Sequence, residues 1–346
     1  MSITATQFAI LGVAAFALTG LLTWPARVLA IKLGAMDIPN MARKVQIEPV
    51  PYLGGVPIAL GVTIVTFGSL FFTNNDEVII ERGMIAIIPA IILGLVGLFD
   101  DLKSVSPWTR LLIQTIIGSV VAFIIVQNGT IGTPFGTTSL NTFLSIIWIV
   151  GVCNSINFYD NLDGAASGTV ATIALGVFYV AYDRGQELVG ALSIVTAGAA
   201  LGFLVWNKSP AKIYMGDAGA LFLGIIISIL TIRLNPGISP TWQSLAIPLI
   251  LLAVPILDTC VAVFSRLSRG ISPLTGGKDH LSHRLIRIGL TRSTASILLW
   301  CASGISAICA LGIYHVGAFY RTYIITLCAL LWIVALVLFL RIPSED

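Results

Sequence analysis

Two adjacent carboxylates, Asp100 and Asp101, close an apolar run that extends from Met84 to Phe99. An acid at membrane depth is costly and a pair more so, so their place at the lip of a span suggests a cation held there. Mg²⁺ suits such a site, because it binds through one or two carboxylates plus substrate phosphates and waters. Taken alone the segment reads more simply as a solvated loop start, with Lys103 and Arg110 as counterions.

Other acids and amides recur at the ends of other apolar runs. Asn154, Asn157, Asp160 and Asp163 step by three and end at Gly164. On a helix they form a stripe suited to ligand capture or to a general base, or else caps and turns at a helix end. Asn207, Lys208, Lys212 and the glycine-flanked Asp217 could hold phosphate oxygens and a metal together. A short basic loop with Asp217 as an N-cap is an even alternative. His280, His283 and Arg284 follow the glycine pair Gly276-Gly277 and offer donors and positive charge to a phosphate. The alternative there is a basic surface segment touching anionic lipid; a zinc site lacks a third local ligand. Asp258, eight residues before Arg266, lies inside a span and faces either a cavity or a buried basic partner.

The elements that must position these residues are membrane spans. Of 346 residues 57% are hydrophobic and 10% charged, against about 25% charged in soluble domains. Windows near 20 residues give about eleven spans: 8–29, 54–72, 84–99, 108–126, 140–153, 165–182, 188–206, 218–234, 245–264, 295–314 and 323–340. The third, fifth and eighth are short for a full crossing. The expected fold is all-α and polytopic, with residues 1–346 as a single integral-membrane domain and no cleaved signal peptide. The five scattered cysteines show no metal-ligand spacing and read as small core residues.

With eleven crossings, fifteen of the nineteen Lys and Arg residues fall on one face, and only Arg82, Arg184, Arg233 and Arg321 on the other. That asymmetry predicts the first face as cytoplasmic, with the N-terminus outside and the C-terminus inside. All the constellations above fall on that face or, for Asp258, one span-half below it.

The segments Asp-Asp, Asn-x-x-Asn-x-x-Asp-x-x-Asp-Gly, Asn-x-x-Pro-Ala-Lys-x-x-Met-Gly-Asp, Pro-x-x-Asp and His-x-x-His-Arg-Leu, in this order, resemble the polyprenyl-phosphate N-acetylhexosamine-1-phosphate transferases. The resemblance runs from Asp37 to Arg287 and includes Asp37-Ile-Pro39-Asn40, Arg43-Lys44 and Gly54-Gly55. It implies Mg²⁺-dependent transfer (with Mn²⁺ able to substitute) of a sugar 1-phosphate from a UDP-sugar to undecaprenyl phosphate, releasing UMP. It implies catalytic roles for Asp100, Asp101, Asp160 and Asp163 and metal binding by Asp101 and Asp217. Substrate binding falls to Lys44, Asn154, Asn157, Asn207, Lys212, His280, His283 and Arg284. Gln46 and Ser282 stand where many relatives have histidine, which bears on the sugar or lipid rather than on the reaction class. The His-x-x-His-Arg-Leu segment, in place of the triple histidine of the MurNAc-pentapeptide enzyme, favours the GlcNAc branch by resemblance, with UDP-MurNAc-pentapeptide or UDP-GalNAc as the alternative sugar nucleotides.

The resemblance also implies a multi-pass protein of the bacterial inner membrane whose partners are a UDP-sugar, a polyprenyl phosphate lipid and the membrane. No nucleic-acid partner is expected, and a homodimer is left open. Two anionic reactants must meet at headgroup level, which is where the acids lie, and a divalent cation bridging the diphosphate would offset their repulsion. A secondary transporter with Asp100, Asp101 and Asp258 as its ion pathway is the alternative, but transporters usually set such groups at the midplane between repeats.

Overall fold

The computed structural model describes residues 3–37, 49–71 and 76–344. Within them the chain forms α1 (Ala5–Leu33), a hairpin of β1 (Met36–Asp37) and β2 (Val50–Pro51), then α2 (Gly55–Phe71), α3 (Glu77–Lys103) and α4 (Pro107–Gln127). Next come α5 (Thr138–Tyr159), α6 (Ala165–Asp183), α7 (Glu187–Asn207), α8 (Gly216–Arg233), α9 (Thr241–Leu251) and α10 (Ala253–Ser268). The chain closes with α11 (Leu281–Arg287), α12 (Arg292–His315) and α13 (Ala318–Arg341). Among the described residues nine helices are long and apolar enough to cross a membrane, ten if the pair α9–α10, bent by 73°, makes one crossing; α2 is a shorter apolar helix of 17 residues. The all-α polytopic expectation holds, the hairpin being a small exception.

Hydropathy windows and helix ends differ for a physical reason. The run predicted over 84–99 becomes the 27-residue α3 because the flanking charges, Glu77, Glu81 and Arg82 at one end and Asp100 to Lys103 at the other, end an apolar window without ending a helix. The window at 245–264 instead breaks in two at Leu252. Pro255 has no N–H to give the Leu251 carbonyl and its ring crowds that carbonyl, so the chain turns there. The polar stripe from Asn154 is helical only through Tyr159, and Asp160 to Gly164 form a loop.

At the centre stands α8, whose residues from Ala218 to Thr231 are all buried, surrounded by α2, α3, α5, α6 and α7. By contrast α13 has no buried residue and presents apolar side chains all round, the pattern of a helix packed at the rim and facing lipid. Close approach of α3 to α8 depends on Gly97, where a Cβ would come within 2.3 Å of the Asp217 carbonyl oxygen. That approach brings the Asp100-Asp101 pair beside the first turn of α8.

Candidate active site

One end of the bundle gathers the C-terminal ends of α3, α5 and α10 and the N-terminal ends of α4, α8 and α12 around a cavity of about 740 Å³. Six acids line it: Asp37, Asp100, Asp101, Asp160, Asp163 and Asp217. Facing them are Arg110, Arg266, Arg292, His280 and His283, with Asn157, Tyr52 and Tyr214.

Asp100, Asp101 and Asp217 are held by the fold. Asp100 accepts the Val105 N–H at 2.5 Å and Arg110 Nη1 at 2.6 Å. The first of these bonds closes the end of α3, where Ser104 sits at φ +50°, a backbone state costly for a side chain of this type and maintained only by its surroundings. Asp101 accepts the backbone N–H groups of Asp217 and Ala218 at 2.9 and 3.1 Å, so it caps α8 from a different helix. Asp217 accepts Asn157 Nδ2 at 2.6 Å and Arg110 Nη1 at 2.5 Å. Arg110 thus bridges α3 and α8 through two carboxylates, and each engaged oxygen keeps lone-pair capacity for a further partner.

Asp160 differs. Its carboxylate has no hydrogen bond or ion pair among the described residues, and burial, reinforced by the charges of Asp217, Asp101 and Asp163, pushes its pKa up to about 8. Asp163 accepts the Ala211 N–H at 3.1 Å, and its own carbonyl accepts from Ser296 Oγ at 2.7 Å. A surplus of acids crowded into one cavity, one of them without a partner, fits a divalent cation by the chemistry of its donors. Among the described residues no three of these side chains stand as a ready-made cage, and Mg²⁺ does not require one because phosphates and waters complete its shell.

The remaining sequence-predicted residues divide clearly. Asn157, His280 and His283 line the cavity. Asn154 does not: its Nδ2 donates to Gln114 Oε1 at 2.6 Å and to the Val150 carbonyl, joining α5 to α4. Asn207 is buried and accepts from Gly164 N–H and Ser167 Oγ while donating to the Ile213 carbonyl, which pins the loop after Asp160 in place. Lys212 is turned outward over the Trp206 ring. Arg284 is buried away from the cavity, donating to the carbonyls of Asp279, Phe339 and Ile342 and to Ser265 Oγ, so it clasps the end of α13 to α11. Lys44 lies outside the described residues. Asp258 is fully buried and pairs with His280 Nδ1 at 2.7 Å.

Sequence reading passed over Tyr214, Arg266 and Arg292 as site residues. Tyr214 reaches the cavity through the segment before α8, which pairs with the hairpin: Tyr214 N–H donates to the Pro51 carbonyl and Gly54 N–H to the Tyr214 carbonyl, both at 2.9 Å. Burial and nearby carboxylates raise its phenol pKa. Arg292 makes no hydrogen bond or ion pair among the described residues. Its position in the first turn of α12, against the helix dipole, is the sequence sign that could have flagged it. In the 272–283 segment, Asp279 is pulled in opposite directions, burial raising its pKa and the bonds and charge of Arg266 outweighing that to hold it low. Burial, with His280 alongside, holds His283 down to about 4.

Fold and site together define a multi-pass membrane protein with a carboxylate-lined cavity at one end of its helix bundle. The model of glycosyl transferase family 4 matches residues 84–235, the stretch holding Asp100, Asp101, Asp160, Asp163 and Asp217. The chain is 35% identical over 327 residues to a probable undecaprenyl-phosphate N-acetylglucosaminyl 1-phosphate transferase of Bacillus subtilis, covering 92% of this chain and 86% of that one. It is 31% identical over 336 residues to the decaprenyl-phosphate N-acetylglucosaminephosphotransferase of Mycolicibacterium smegmatis, covering 87% and 80%. A phospho-N-acetylmuramoyl-pentapeptide-transferase of Streptococcus thermophilus is 29% identical over 251 residues, covering 66% and 73%. The chain belongs to glycosyl transferase family 4.

Proposed function

We propose that the chain transfers N-acetylglucosamine 1-phosphate from UDP-GlcNAc to undecaprenyl phosphate, releasing UMP and leaving the lipid-linked diphosphate sugar that starts a cell-envelope polysaccharide. The observation that carries this reading is the acid-lined cavity at the basic end of the bundle, in a chain that matches polyprenyl-phosphate N-acetylglucosaminyl 1-phosphate transferases over most of its length. Thirteen of the nineteen Lys and Arg residues lie in the described parts of that end. By the distribution of positive charge it faces the cytoplasm, where a UDP-sugar is available and a lipid phosphate sits at headgroup level.

An oxygen of the lipid phosphate attacks the β-phosphorus of the UDP-sugar, and the bond from that phosphorus to the bridging oxygen breaks, the electron pair leaving with UMP. The second pKa of a phosphate monoester is about 6, so the lipid arrives largely as a dianion. Asp100 is needed as a base only for the protonated remainder. Asp217 and Asp160 would hold Mg²⁺ or Mn²⁺, with Asp101 adding the lone pairs left by its two backbone bonds. Bound there, the cation would offset the diphosphate charge and stabilise the charge that develops on UMP. Arg110 keeps Asp100 and Asp217 in register, and Arg292 is free to take phosphate oxygens. Asp163 and Asn207 hold the loop that carries Asp160.

The test uses detergent-purified protein, undecaprenyl phosphate and radiolabelled UDP-GlcNAc, with Mg²⁺ and then with EDTA, scoring label extracted into organic solvent. Label is expected to move to lipid with Mg²⁺ and not with EDTA. Transfer only from UDP-GalNAc or UDP-MurNAc-pentapeptide would overturn the choice of sugar, and no transfer from any of the three would overturn the reaction.

A further inference from the structure

We infer that the two histidines of the His-x-x-His segment do different work: His283 is the imidazole that meets the substrate, whereas His280 is a positioning residue locked between Asp258 and Arg266. The inference rests on the transferase reading for what the substrate is, and on geometry alone for the division of roles.

Both ring nitrogens of His280 are taken. Nδ1 lies 2.7 Å from Asp258 Oδ2, and Nε2 lies 3.1 Å from Arg266 Nη2. A guanidinium nitrogen can only donate, so Nε2 must accept, which places the ring proton on Nδ1, donated to Asp258. The second oxygen of Asp258 accepts the Leu281 N–H at 2.7 Å, so one buried carboxylate fixes both the ring and the start of α11. Arg266 is in turn held by Asp279 through Nε at 2.9 Å and Nη2 at 2.7 Å, and stacks over Phe158. The members of this chain are nearly inaccessible, Asp258 at 0%, Asp279 at 1%, Arg266 at 2% and His280 at 6%. A substrate atom could bond His280 only by displacing one of these partners, leaving a buried charge unpaired.

His283 has the opposite character. It lines the cavity, its ring packs edge-on against His280 at 6.1 Å, and it makes no hydrogen bond among the described residues. Its neighbour Ser282 donates to Asn161 Oδ1, within the loop between Asp160 and Asp163. The His-x-x-His segment is therefore pinned at two points, to the interior of α10 by Asp258 and to the acid-bearing loop by Ser282. Those pins leave the free imidazole facing the substrate space.

The chain has three histidines, so selective ¹⁵N-histidine labelling gives signals assignable by substitution. In the unmodified protein His280 is expected as the Nδ1–H tautomer, and adding UDP-GlcNAc with Mg²⁺ should shift the ring nitrogens of His283 and leave those of His280 in place. In the transfer assay His283→Asn should lower kcat/KM by about tenfold or more, the loss of a buried hydrogen bond to a charged ligand. Asp258→Asn and His280→Asn should each lower it too, with the double variant within about threefold of the worse single one, because both remove the same linkage. An Nε2–H tautomer for His280, a ligand-induced shift at His280 in place of His283, multiplicative losses for Asp258→Asn and His280→Asn, or unchanged kcat/KM in His283→Asn would overturn the assignment. Absence of transfer by the unmodified protein would instead count against the transferase reading, and the tautomer would still be read independently.

Discussion

At Arg292 the chain places a guanidinium in the first turn of a helix, where the macrodipole disfavours a cation, and gives it no partner among the described residues. Arg110, by contrast, is already paired with Asp100 and Asp217, and Arg266 with Asp279 and His280. Of the three arginines that line the cavity, Arg292 is the one without a partner among the described residues, which suits it to a mobile anion. Arg292→Ala is expected to raise the KM for the UDP-sugar by roughly tenfold, with kcat changed by less than about threefold, the pattern of a lost binding contact worth about 1.5 kcal/mol. Steady-state kinetics would check it, and a fall in kcat at unchanged KM would remove Arg292 from substrate binding. Residue types alone did not separate it from the other basic residues near the site, since only the fold tells which of them are already paired. The same holds for Arg284 and Lys212, whose charge suggested phosphate binding and whose partners are backbone carbonyls and an indole ring.

Among the elements, the junction of α3 with α8 does most to set the geometry. Gly216 opens α8 at φ +68°, and a Cβ there would lie 2.5 Å from Asp101 Oδ2. Gly216→Ala should therefore push Asp101 off the Asp217 and Ala218 amides, adding a left-handed backbone cost of about 1–2 kcal/mol. The expected result is a lower thermal midpoint and a loss of turnover of about 100-fold, because a displacement near 1 Å at the reacting groups suffices for that. Wild-type turnover in this variant would show that Asp101 is not needed as a cap. Hydropathy made the order of the apolar helices legible, since the cost of unpaired backbone in lipid leaves little besides helices. It did not show the break at Leu252, where the signal is local proline chemistry rather than hydrophobicity, nor the helix end at Tyr159, where a spacing of three continued into a loop.

On the scale of the whole molecule, acids from segments far apart in sequence converge at one end of the bundle because alternating crossings return to that end again and again. The order of polar segments after apolar runs made that convergence legible. It could not say that Asp101 caps α8, that Asn154 and Asn207 brace the frame, or that Asp160 is left without a partner. Those facts depend on which helices are neighbours. On the proposed reaction six acids would face two anionic reactants, and a cation held among them would offset that charge. The most direct test counts Mn²⁺ bound by the purified protein in the presence of UDP-GlcNAc, by electron paramagnetic resonance of the free ion. One tight site per chain is predicted, weakened by about 10- to 100-fold or more in Asp217→Asn and in Asp160→Asn; binding as tight as wild type in both variants would contradict a metal held by these carboxylates.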